Sequence, residues 1–385
     1  MTIATKRKKC VVCDSEVFSK VIDLKDFPIF MGTIMEFEAG KALREHLKFV
    51  KCSSCKTLQL GGLIPLEKLY QSNHNVEVVG TLWKNHYDQF CNFIINNKKN
   101  KKVLEIGCPS AKLAKRCVNK DNTINWKIVE PNPSNEKDLP PQIKYEKTWL
   151  NNLTNDEKYD NIVLSHVFEH LFEPSKDLKN IYNLLNKEGR LFLSIPNMKF
   201  LLDKQKLPPA SLSFEHTYYV DDYSINFLLE RSGFRITKKI KYLNHSLFYC
   251  CEKTNGPARI IDTKKLGLYN ENICDKFKKT ITHYQSLTDR INEYVKNTNL
   301  PVYVFGAFFN AQLFFSMGLP ETSVDGILDN SSDKIGKVLY GTSLKIYSPN
   351  ILKNKKSVVI CHMGSYTEEI KEDIISNINS EVIFI

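Results

Sequence analysis

The chain has 385 residues, 42% of them hydrophobic and 25% charged, a balance that sets aside intrinsic disorder and gives enough length for two or three buried cores. No apolar run approaches the roughly 18–20 residues of a membrane span, and Met1–Lys9 lacks the apolar stretch of a signal peptide, so a cytoplasmic protein with no membrane partner is expected. The formal charge of +11 comes from lysines scattered through stretches such as Asn96–Lys102; this is a solvated surface rather than a nucleic-acid interface, though its diffuse field would draw a phosphorylated small substrate.

In chain order, residues 1–75 hold two Cys-x-x-Cys pairs, Cys10/Cys13 and Cys52/Cys55, separated by a long excursion with no helix expected before about Ala42. Thiolates two residues apart on a tight turn can reach one metal, and a second pair closes a tetrahedral Zn²⁺ site with no open position, which points to a structural ion. Cys91, Cys117, Cys250, Cys251, Cys274 and Cys361 lack a framework spacing and read as reduced thiols. Leu58–Gly62 reads as a short strand ending at a turn, and Leu82–Ile95 as an amphipathic helix.

From residue 102 the pattern alternates: strands at Val103–Ile106, Lys127–Val129, Asn161–Leu164 and Arg190–Ile195, with helices at Ala111–Val118 and Pro174–Asn186 between them. Such alternation builds a parallel sheet covered on both faces. Asp221–Arg231 then reads as a helix, and Phe234–Glu252 as a β-rich edge pair. A linker, Lys253–Asn270, precedes a long helix over Ile273–Lys296. A second αβ unit follows, with strands at Val302–Gly306, Val324–Leu328, Val358–Cys361 and Glu381–Ile385 and helices at Ala311–Met317 and Thr367–Asn377. The expected fold class is α/β, in three parts: 1–75, 76–253 and 254–385.

Glu105-Ile106-Gly107, followed about twenty residues later by a strand ending in Glu130, suits a nucleoside-binding switch point. The glycine lets backbone approach the ligand, and the acid can bind ribose hydroxyls. In the second unit Gly306 and Asp329 invite the same reading, but Phe308 and Phe309 would block a pyrophosphate.

Those segments, with the run Tyr159–Leu171 and Leu184–Asn197, resemble a class I S-adenosylmethionine-dependent methyltransferase. The whole arrangement resembles the sugar C-methyltransferase family: a zinc module, a central Rossmann-like methyltransferase domain and a second Rossmann-like domain. The likeness also rests on Cys52-Ser53-Ser54-Cys55, Phe214-Glu215-His216, Asn244-His245-Ser246-Leu247 and Val304-Phe305-Gly306-Ala307. It implies S-adenosylmethionine as cofactor and a nucleotide-linked deoxysugar as substrate, methylated on the carbon beside a keto group, in a monomer or homodimer. It further implies His216 as base with Glu215 orienting it and His170 near the acceptor. Glu105, Gly107, Glu130, Ser165 and His166 would face the cofactor, and His74, His245 and Gly306 the substrate. His166 and His170 as zinc ligands lack a third partner.

The chain departs from the family at three places. Pro109 in Gly107-Cys108-Pro109 removes a backbone donor from the cofactor loop. Ser213-Phe214 and Ser72-Asn73-His74-Asn75 stand where the family has aromatic hydroxyls, of which His74 could replace one. Without those donors an enolate loses its stabiliser, so O- or N-methylation, or a non-catalytic scaffold, stands as the alternative.

Overall fold

The computed structural model describes residues 3–70, 80–134, 138–154, 156–204, 207–219, 221–254 and 263–385. In the N-terminal part β1 (Phe18–Pro28), β2 (Arg44–Cys52) and β3 (Leu58–Leu60) form an antiparallel sheet. The residues from Arg44 are therefore a strand rather than a helix: Leu47 and Phe49 alternate inward with period two and are fully buried, against the 3.6 a helix would need.

Helix α1 (Thr81–Ile95) buries His86, Phe90, Cys91, Phe93 and Ile94 along one face. The central unit continues as β4 (Lys102–Ile106), α2 (Lys112–Lys120), β5 (Asn125–Val129), β6 (Ile143–Glu146), β7 (Tyr159–Ser165), α3 (Pro174–Leu184) and β8 (Leu185–Pro196). A two-residue strand β9 (Tyr218–Tyr219), helix α4 (Asp222–Arg231) and the hairpin β10 (Phe234–Tyr242) and β11 (Ser246–Lys253) complete it. Asp221 caps α4 by accepting from the Ser224 amide at 2.9 Å.

The seven strands lie in the order β10-β11-β8-β7-β4-β5-β6, with β11 antiparallel to both neighbours. Numbered within the domain this is 6-7-5-4-1-2-3, the class I methyltransferase fold. Its strands alternate between two cores: Leu104, Ile106, Ile162 and Leu164 face α3 and α4, while Val103, Val163, Ile128 and Phe192 face α1 and α2. The strand β6 escaped the sequence reading because Ile143-Lys144-Tyr145-Glu146 carries only one fully buried apolar side chain at the sheet edge.

β9 leaves the central unit and pairs with β3, so the order β9-β3-β2-β1 stitches the N-terminal sheet to the segment after Glu215. Helix α5 runs from Thr263 to Lys296, ten residues longer than expected, because Leu266 and Asn270 pack under the cysteine turns. The C-terminal unit is β12 (Val302–Phe305), α6 (Phe309–Ser316), β13 (Gly326–Leu328), β14 (Ile346–Tyr347), β15 (Val358–Ile360), α7 (Thr367–Asn377) and β16 (Ile383–Phe384). Its five strands are all parallel, in the order β14-β13-β12-β15-β16. Among the described residues no helix is long and apolar enough to cross a membrane.

Candidate active site

The four paired cysteines meet. Their sulfurs all lie within 4.8 Å of one another, with Cys10 to Cys55 at 3.5 Å and Cys13 to Cys52 at 3.6 Å, and none is in a disulfide. Zinc–thiolate bonds of 2.3 Å arranged tetrahedrally would put sulfurs about 3.8 Å apart, so the donor set fits Zn²⁺ in spacing and in softness. Surrounding groups hold it: Gln59 Nε2 donates to Cys10 Sγ at 3.4 Å, Thr57 Oγ1 lies 3.0 Å from Cys55 Sγ, and Asn270 Nδ2 of α5 donates to the Cys55 carbonyl at 2.8 Å. Arg231 of α4 donates to the Val12 carbonyl at 2.8 Å, tying the cluster to the central unit.

At the carboxyl edge of the central sheet β4 runs into Gly107, whose φ of +71° an L side chain rarely adopts; a Cβ there would also lie 2.7 Å from Val167. The Gly107 amide donates to the Val129 carbonyl at 2.9 Å, which brings Glu130 beside the loop. The Glu130 carboxylate accepts from the Asn132 amide at 2.9 Å and from the Cys108 amide, and burial raises its pKa. Cys108 takes a φ of +115°, a strained value for a non-glycine residue. Tyr145 holds this loop by donating to the Cys108 and Pro109 carbonyls at 3.1 and 2.9 Å. Ser165, ending β7, has a buried hydroxyl with no partner.

Glu105 behaves otherwise than expected of a cofactor ligand. As an odd residue of β4 it points with Val103 into the core, fully buried, and accepts from Trp126 Nε1 at 2.8 Å. Burial pushes its carboxyl up to about 8. The strand register that makes Gly107 available turns Glu105 away from the edge.

His170 and His216 come together with ring centroids 4.8 Å apart. Tyr70 Oη lies 3.2 Å from His170 Nδ1, and Glu215 Oε2 lies 3.8 Å from the same nitrogen. Burial above all, with the neighbouring His170 second and Glu169 opposing, lowers His216 to about 3, so the imidazole is neutral at pH 7; its Nδ1 is buried without a partner. Tyr70 is pushed well above its ordinary value by burial and by the carboxylates of Glu215, Glu130 and Glu169, which keeps its hydroxyl a donor. Burial alone would raise Glu169, but the hydrogen bond from His166 and the nearby His170 and His216 hold it at about 2.

His166 sits elsewhere, in a second histidine group with His86 and His245 packed around Trp83. Its φ is +52°, and its Nδ1 is 3.4 Å from Glu169 Oε1, so one carboxylate stands between the two histidine groups. Burial, followed by the charge of His166, lowers His86 to about 2 and His245 to about 4. His74 lies outside the described residues. Gly306 has φ +98°, and the space a Cβ would take is filled by the Met363 thioether at 2.5 Å.

Sequence reading missed Tyr70, Glu169, His86 and Trp83. Tyr70 stands just ahead of Ser72–Asn75, the stretch that lies where the resembled family carries an aromatic hydroxyl. Glu169 lies inside the run His166–His170, and Trp83 and His86 sit three apart on α1, a spacing that shares a helix face but is indistinguishable from core packing in sequence.

A protein-family profile described as a methyltransferase domain matches residues 83–239. No curated protein matches the chain. Among solved structures, an N-methyltransferase from Bradyrhizobium japonicum WM9 is 13% identical at a TM-score of 0.36, covering 46% of this chain and 99% of its own. The magnesium protoporphyrin IX methyltransferase from Synechocystis PCC 6803 is 15% identical at a TM-score of 0.37, covering 47% and 90%. At such values neither structure bears on the substrate.

Proposed function

Starting from an S-adenosylmethionine-dependent methyltransferase with its domain at residues 83–239, we propose that the acceptor is a nucleotide-linked deoxysugar and that the methyl group goes to the carbon beside its keto group. The observation that carries this reading is the grouping of His170, His216, Glu215 and Tyr70. It offers both functions that carbon methylation needs, a neutral imidazole to take the proton and a hydroxyl to face the oxygen that gains charge.

The loop at Gly107, the carboxylate of Glu130 and the unpartnered hydroxyl of Ser165 fit the cofactor and would hold it at the switch point. Bound there, S-adenosylmethionine supplies an electrophilic methyl group. His216 accepts the acceptor's C–H proton on its ring nitrogen, and Glu215 and Glu169 offset the imidazolium charge. Tyr70 donates its hydroxyl proton as a hydrogen bond to the enolate oxygen, with His170 fixing the phenol's orientation. Tyr70 favours carbon over a hydroxyl or amine acceptor, because methylating a heteroatom requires a base but no enolate donor. Cys10, Cys13, Cys52 and Cys55 bind one structural zinc ion, and the C-terminal unit walls the sugar-nucleotide cleft.

The test is mass spectrometry of the full chain incubated with S-adenosylmethionine and a panel of nucleotide-linked keto- and aminosugars. The expected result is a single methyl gain on a ketosugar, with deuterium exchange at the acceptor C–H before methyl donor is added. Methylation confined to hydroxyl- or amino-sugars without such exchange would replace the carbon reading by the O/N one.

A further inference from the structure

The second histidine group has no task in the chemistry above. His86 on α1, His166 after β7 and His245 in the β10–β11 turn each offer a ring nitrogen, and the three nitrogens lie within 4.8 Å of one another. Some point then lies within about 2.8 Å of all three atoms, so closing to the 2.0–2.1 Å of a zinc–imidazole bond requires movements of no more than roughly 0.7 Å.

Two further features point to a ligand. His86 is fully buried, with Nε2 at 2.8 Å from Ser194 Oγ, while Nδ1 is buried and has no partner. An unpaired buried nitrogen is unfavourable, and a bound cation removes that cost. Each imidazole is also braced by an oxygen: His86 by Ser194, His245 Nδ1 by Ser246 Oγ at 2.6 Å, and His166 Nδ1 by Glu169 Oε1 at 3.4 Å; His166 Nε2 lies 2.8 Å from the same Ser246 hydroxyl, a bond that an ion bound at this nitrogen would replace. Outer hydrogen bonds of this kind fix the ring orientation of metal-ligating histidines, the carboxylate–histidine pair above all.

We propose that His86, His166 and His245 bind a divalent transition-metal ion of the imidazole-preferring class, Zn²⁺ foremost, separate from the four-cysteine cluster. Three protein ligands leave a fourth tetrahedral position for water or an acceptor oxygen. Trp83, whose ring lies 4.8 Å from His166 and 4.6 Å from His245, closes one side of the site. Glu169 links this site to the His170–His216 pair, yet the site stands whether or not the acceptor is a ketosugar.

The experiment is metal analysis of the purified full chain after equilibration with Zn²⁺ and removal of excess, together with zinc X-ray absorption. Two equivalents are expected, with nitrogen as well as sulfur in the first shell. His245→Gln, at a partly buried turn position, should lower the content to one equivalent and leave a purely sulfur shell, with the circular dichroism unchanged. His86→Ala should do the same where it folds. One equivalent with only sulfur neighbours in the wild-type chain would overturn the proposal, and so would two equivalents persisting with a nitrogen signal in folded His245→Gln.

Discussion

The central and C-terminal sheets share the strand order 3-2-1-4-5, and each first strand enters a glycine at positive φ, but only the central one leaves its switch point chemically open. In the C-terminal unit Asp329, at the end of β13, accepts from the Ala307 and Ser331 amides at 2.8 and 2.9 Å and pairs with Lys334 at 2.9 Å. Lys334 in turn lies over the Phe308 ring. The acid is fully employed by its own loop. Glu130 occupies the equivalent place with two backbone amides and no cation among its described partners. On the proposed reading the same topology serves as a ligand site in one unit and a structural wall in the other, with side chains rather than strand order deciding which.

Substitutions test this contrast. The largest effect is expected outside both sheets: Cys52→Ser opens the cluster that anchors α4 and α5, and because a closed zinc site contributes several kcal/mol or more of folding free energy, the chain should lose zinc and melt more than 10 °C lower, or fail to fold. Unchanged melting would remove the structural role. His216→Asn should reduce turnover by about 10²–10⁴-fold while the affinity for S-adenosylmethionine, read by calorimetry, stays within a few-fold. Full activity would disqualify it as the base.

The comparison itself is sharpest at the two acids. Glu130→Ala should weaken S-adenosylmethionine binding by roughly tenfold or more, about 1.4 kcal/mol, with little change in melting. Asp329→Ala should leave that affinity untouched and destabilise the fold by about 1–3 kcal/mol, since it strands Lys334 and two loop amides. Equal losses of affinity in both variants would mean the C-terminal turn is not closed.

Acid should unfold the chain early. His86, His216 and His245 are held near 2, 3 and 4, whereas unfolded histidine titrates near 6.5, so between those values the unfolded state binds more protons. Stability is then fully present above about pH 6.5 and is lost as the pH falls toward 4, which melting curves against pH would record; a flat profile would mean these rings are hydrated. Glu105 acts in the opposite sense and to a smaller extent. Raised to about 8, it keeps its proton in the fold while the unfolded carboxyl releases it near 4.5, so its contribution is lost as the pH rises between those values. Glu105→Gln should retain the Trp126 bond and be more stable than the parent at pH 8 by about 1–2 kcal/mol, an increment urea titration resolves.

The paired cysteines, the alternation of strand and helix after residue 102, and the glycine and acid at the first switch point were legible because each is a local pattern: a two-residue gap, a period of two or 3.6, or a fixed chain distance. Helix Thr367–Asn377 falls where its periodicity put it. What tertiary structure alone decided is which distant residues share a space. Only the folded chain turns Glu105 inward, seats Met363 over Gly306 and brings Tyr70 to His170 across 100 positions. It also gathers His86, His166 and His245 from a helix, a strand end and a hairpin turn. No local rule encodes such meetings, because they depend on how sheets and helices pack rather than on spacing along the chain.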